Sequence, residues 1–146
     1  MAAQVQGISF SPAFTPQVGY KRLRAVVADD ISDMRKITVG VLEHDGWVDV
    51  VGTTDNGVMA VELAEALLPD LVVLDINMPK MTGLEATWRI KQILPQMKIL
   101  VVSADDDAEV ALCALDCGAD AFLWKGNLVK QCHTQLARMF MDEPSL

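Results

Sequence analysis

The stretch Leu71-Val72-Val73-Leu74-Asp75-Ile76-Asn77-Met78-Pro79-Lys80-Met81-Thr82-Gly83 decides how the chain is read. Leu71 to Leu74 offers no polar face, as a strand covered by helices on both sides requires, and the run then ends in a carboxylate, Asp75. Working outward, runs of the same apolar character occur at Leu23 to Ala28, Val48 to Thr53, Lys98 to Val102 and Ala121 to Trp124. Between them lie segments with helical spacing: Met34, Ile37 and Val41; Val61, Ala64 and Leu68; Val110, Cys113 and Cys117; and Val129, Cys132, Leu136 and Met139. Leu84 to Leu94 is less regular and stops at Pro95, as the second helix stops at Pro69. Strands and helices alternating in this way predict an α/β domain with a parallel sheet, right-handed crossovers and helices on both faces.

A chain of 146 residues, 51% hydrophobic and 22% charged, suits one globular domain. That domain is expected over residues 21–141. Residues 1–20, with Gly7, Pro12, Pro16 and Gly19 and no sustained period, read as a flexible extension, and residues 142–146 as a tail too short for an output domain. The apolar runs are strand-sized, short of the roughly 18 residues a membrane span needs, and the N-terminus lacks a secretory pattern. A cytoplasmic location with no membrane partner is expected. Cys113, Cys117 and Cys132 fit a reducing compartment and read as buried packing residues; with His133 they make a poor case for a metal site. A net charge of −8 argues against direct contact with nucleic acid, which needs clustered Lys and Arg.

In an open α/β sheet the ligand site lies beyond the carboxyl ends of the strands, so the residue at which each strand ends carries the chemistry. The first ends in Asp29-Asp30, the third in Asp75, the fourth in Ser103 and the fifth in Lys125. The second ends in Thr53-Thr54-Asp55, which suits an edge. Acidic pairs at strand ends are often solvated turns, but three carboxylates and an ammonium meeting at one rim are harder to dismiss. Crowded carboxylates repel, and Mg²⁺, which takes one or two carboxylates and keeps room for phosphate oxygens, is the natural remedy. A carboxylate beside such a cation and a lysine can attack a phosphoryl donor. Asp75 is the better nucleophile, because the tandem pair Asp29-Asp30 suits metal holding. A flavin or nucleotide site would instead ask for a Gly- or Ser/Thr-rich phosphate loop after the first strand, where Asp29-Asp30 stands.

Val27-Ala28-Asp29-Asp30-Ile31-Ser32-Asp33-Met34-Arg35, the stretch from Leu71 to Gly83, Val102-Ser103-Ala104, and Gly118-Ala119-Asp120-Ala121-Phe122-Leu123-Trp124-Lys125 together resemble the receiver domains of two-component response regulators. The resemblance runs from about Leu23 to Phe140. It implies a doubly wound (βα)5 flavodoxin-like fold with strand order 2-1-3-4-5. It also implies that Asp75 is the phosphoacceptor, that Asp30 ligates Mg²⁺ directly with Asp29 acting largely through water, and that the Asn77 backbone carbonyl completes the shell. Ser103 and Lys125 would hold the phosphoryl oxygens, Ala104 would keep the entrance small, Phe122 would be the aromatic switch, and Met78-Pro79 with Gly83 would form the turn after the phosphoacceptor strand.

The implied protein is a stand-alone phospho-switch. A histidine kinase or phosphotransfer protein would be its donor and a downstream effector its reader, with a phosphorylation-dependent homodimer as a further option. It would act chemically on itself alone, not on an outside metabolite. A relay receiver, or the excised receiver of a DNA-binding regulator, are the alternatives. Two positions depart from the family pattern. Gly126 stands where many members carry a cis proline, which leads to the expectation of a more mobile loop, and Trp124 replaces a smaller residue on the strand face it should share with Phe122. The reading requires Lys125 to face the acids and Asp75 to be reachable from solvent.

Overall fold

A computed structural model describes residues 22–141 and, nearer the N-terminus, two strands at Gln4–Val5 and Ile8–Ser9 that pair antiparallel. The expected flexible extension over 1–20 otherwise lies outside the described residues, as does the tail 142–146. The described chain alternates β1 (Leu23–Ala28), α1 (Ser32–Glu43), β2 (Val48–Thr54), α2 (Gly57–Leu67), β3 (Leu71–Asp75), α3 (Gly83–Ile93), β4 (Lys98–Ser103), α4 (Ala108–Asp116), β5 (Ala121–Trp124) and α5 (Leu128–Phe140). All five strands are parallel in the order β2-β1-β3-β4-β5, the order the family resemblance implies.

Because successive strand residues point to opposite faces, the sheet feeds two cores. Val26, Ala28, Val72, Leu74, Ile99 and Val101 pack with residues of α2, α3 and α4. Ala25, Val27, Leu71, Val73, Leu100 and Val102 pack with residues of α1 and α5. Central β3 is buried along its whole length, whereas edge strand β2 is mostly half-exposed. The crossovers therefore put α1 and α5 on one face and the other three helices on the other, which is the doubly wound arrangement.

Helix faces differ in detail from their spacing. Ile37 is 49% exposed while Thr38 and Leu42 are buried, and Val129 is 61% exposed while Leu128 is buried. On α4 the buried residue is Ala114. Cys113 is consequently exposed and Cys117 half-buried, so among the three thiols the expected burial holds only for Cys132. Leu68 falls just beyond α2 in a left-handed conformation (φ 46°), where its side chain is exposed instead of continuing the apolar stripe. Among the described residues no helix is long and apolar enough to cross a membrane.

Truncation should separate these environments. Leu100→Ala, at a fully buried position, is expected to lower unfolding free energy by about 2–5 kcal/mol in urea titrations. Leu112→Ala, on the exposed side of α4, should change it by under about 0.5 kcal/mol.

Candidate functional site

The parallel register brings the carboxyl ends of β1, β3, β4 and β5 to one rim. Asp75 is the last residue of β3, and the turn into α3 fixes its backbone. Ile76 N–H donates to Val102 O (3.3 Å), and Gly83 N–H returns to donate to Ile76 O (2.8 Å). A Cβ on Gly83 would lie 2.1 Å from the Asp75 carbonyl oxygen, so only glycine lets the chain close back this tightly. Thr82 and Glu85 then cap α3 reciprocally, each side chain accepting from the other's backbone N–H at 3.1 Å.

Asp29 and Asp30 lie just past β1. The Asp29 side chain is buried: one oxygen accepts from Ile31 N–H (2.9 Å), and the residue's backbone carbonyl accepts from Arg35 Nη1 (2.7 Å). Arg35 belongs to a stretch singled out in the sequence, yet spacing alone gave it no task. Asp30 is exposed and forms the open flank of the group. Carboxylate oxygens of Asp29, Asp30 and Asp75 lie within 4.8 Å of one another. Lys125, the residue after β5, reaches across with Nζ 3.0 Å from Asp29 Oδ2 and 3.2 Å from Asp75 Oδ1.

Ser103 closes β4 and is buried, with Oγ accepting from Asp105 N–H (2.9 Å) and its own proton left to donate elsewhere. Asn77 is exposed just past Asp75. Phe122 is half-buried and packs on the core beneath α4. The N-cap of α4 is Asp107, whose carboxylate accepts from the first turn at Glu109 N–H (2.9 Å). The loop at Gly126 takes the form of a short 3₁₀ turn, Lys125–Asn127, leading into α5.

Of the two requirements set by the sequence, Lys125 meets its own. Asp75 does not: its side chain is 3% exposed, buried where the sequence reading expected it to be reachable from solvent. Burial pushes the Asp75 carboxyl up to about 6 from 3.8; neighbouring Asp29 adds to the rise and Lys125 opposes it. Lys125 is itself partly desolvated, which pulls its pKa down, but the two facing carboxylates outweigh burial and hold it above the usual value. Three carboxylates with one ammonium leave an excess of negative charge. Asp29 Oδ2 is buried without an aligned hydrogen bond despite its 3.0 Å contact with Lys125. The all-oxygen donor set and the excess negative charge fit a hard divalent cation such as Mg²⁺, for which Asp29, Asp30 and Asp75 are the candidate ligands.

A raised carboxylate pKa means the folded state binds the proton more tightly than the unfolded one. The group's contribution to stability is therefore favourable in acid and is lost as pH rises toward and through about 6. A shift of this size, with the opposing attraction of Lys125 already included, corresponds to at most about 3 kcal/mol. Asp75→Asn is thus expected to stabilise the metal-free protein by about 1–3 kcal/mol at pH 7.5, with the gain vanishing near pH 4 in chemical denaturation.

Comparison with known proteins agrees with this geometry. The family model for the response regulator receiver domain matches residues 25–137. The chain is 42% identical over 104 residues to a protein-glutamate methylesterase/protein-glutamine glutaminase of Myxococcus xanthus, covering 70% of this chain and 30% of that protein. It is 37% identical over 109 residues to the transcriptional regulatory protein DegU of Brevibacillus brevis, covering 75% of this chain and 46% of that one. The chain thus spans less than half the length of these relatives. The solved signal receiver domain of NarL from Mycobacterium tuberculosis superposes with a TM-score of 0.73 at 33% identity, covering 84% of this chain and 96% of that domain. The family match runs from within β1 to the last turn of α5 and takes in the whole acid and lysine rim, and the chain belongs to the response regulator receiver domain family.

Proposed function

We propose that this receiver is a Mg²⁺-dependent phospho-switch whose phosphoacceptor is Asp75. The observation that carries the reading is the contact of one ammonium, Lys125, with two of three clustered carboxylates at the strand ends. An Asp75 oxygen attacks the phosphorus of a phosphohistidine on a kinase or phosphotransfer protein. The P–N bond breaks, its electron pair returns to the imidazole nitrogen, which takes a proton, and an acyl phosphate remains on Asp75. Mg²⁺, held by Asp29, Asp30, Asp75 and the Asn77 carbonyl, would neutralise charge on the transferring oxygens. Lys125 exchanges part of its pairing with Asp75 for the phosphoryl oxygens, and Ser103 turns its free proton toward them. The chemistry is confined to the protein's own side chain.

The product adds about −1.5 to −2 charge at Asp75. A displacement of Ser103 toward it vacates space under Phe122, whose inward turn reshapes the face of α4, β5 and α5. Only groups that bind the phosphoryl better in one state can drive this, so Ser103 and Lys125 transmit the signal and a protein effector reads it. The greater length of the relatives favours a second reading, in which the same face governs an output unit on one polypeptide rather than a separate effector. The mass of the protein detected in its native cells decides between them.

Intact mass after incubation with a small phosphodonor and Mg²⁺ is expected to show one added phosphoryl group on the parent, none on Asp75→Asn and none after chelation. An unmodified parent protein would sink the proposal. Lys125→Ala should still accept the group, but amide exchange across α4 and β5 should no longer differ between the modified and unmodified forms.

A further inference from the structure

Trp124 stands at the end of β5, directly before Lys125, and pairs in register with Ser103 on β4. Its side chain serves two loops at once. The indole Nε1–H donates to the Ala104 carbonyl at 3.1 Å, in the loop after β4. The six-membered ring covers Gly126, in the turn after β5, so closely that a Cβ there would lie 2.5–2.7 Å from Cη2, Cζ3 and Cζ2. The loop after β4 is otherwise organised by short-range bonds, Ser103 Oγ to Asp105 N–H and the Asp107 cap of α4. These two loops carry Ser103 and Lys125, and Asp75 is almost sealed below the rim.

We propose that Trp124 is a positioning residue that latches the β4–α4 loop to the β5–α5 turn, with Gly126 as its obligatory seat, and so governs water access to the modified Asp75. The proposal rests on Asp75 being the phosphoacceptor. In the step it controls, water attacks the phosphorus of the acyl phosphate. The bond from phosphorus to the Asp75 oxygen breaks with its electron pair leaving on the carboxylate, and inorganic phosphate and a proton depart. A closed latch slows this step by keeping water out; an open one hastens it.

The test compares phosphoryl lifetime, by intact mass after removal of a small phosphodonor, in the parent, Trp124→Phe, Trp124→Ala, Gly126→Ala and the double variant Trp124→Ala/Gly126→Ala. Phenylalanine keeps a ring over Gly126 but loses the donor, so phosphoryl loss should quicken about 2- to 10-fold, the worth of one hydrogen bond. Gly126→Ala displaces the ring without touching the indole's chemistry and should quicken loss comparably. In the Trp124→Ala background the three atoms that the added methyl would strike are gone, and it should change nothing further. Equal lifetimes in the parent, Trp124→Phe and Gly126→Ala would overturn the latch, as would additive effects in the double variant.

Should the parent take no phosphoryl group at all, the phosphoacceptor reading falls, and amide exchange in the unmodified protein judges the latch alone. Faster exchange at Ala104, Asp105 and Gly126 together in Trp124→Phe supports it. Unchanged exchange at all three overturns it.

Discussion

One ammonium group is set against three carboxylates at the rim of the sheet, and that mismatch governs most of the molecule's behaviour. Burial and the neighbouring Asp29 raise the Asp75 pKa to about 6, and Lys125 opposes that rise without cancelling it. Such a site is costly to fold and correspondingly ready to welcome positive charge, whether a cation in the crevice or a shift of the lysine itself. Two apolar cores, one on each side of the sheet, carry that cost.

The sheet does more than supply stability: its parallel order turns four unrelated positions in the chain into neighbours. Asp75 pairs in register with Val102, so Ser103 extends one residue past it, and Ser103 in turn pairs with Trp124, which places Lys125 one step farther. The stagger gives each side chain its own height above the rim. No loop has to be long for the acids, hydroxyl and amine to meet.

Strands were legible in the sequence to within a residue because residues covered on both faces leave little choice of composition. Helix faces were less so. The buried positions of α1 and α4 include Thr38 and Ala114, small or polar residues that an apolar template passes over in favour of Ile37 and Cys113 beside them. Three consecutive aspartates, Asp105 to Asp107, cannot be ranked as caps without backbone angles. The acids at the strand ends were visible because strand termini are fixed points. That Asp29 is the buried member of its pair and shares Lys125 with Asp75 depends on rotamers, and the span from Trp124 to Ala104 joins loops twenty residues apart.

The reciprocal cap at Thr82 and Glu85, with the return of Gly83 onto β3, makes the two sides of the crevice unequal in stiffness. On the α3 side the backbone is wedged against itself and has nowhere to go. On the opposite side the loops lean on one another through side chains. A change of volume inside the crevice would therefore meet more resistance on the α3 side than on the other.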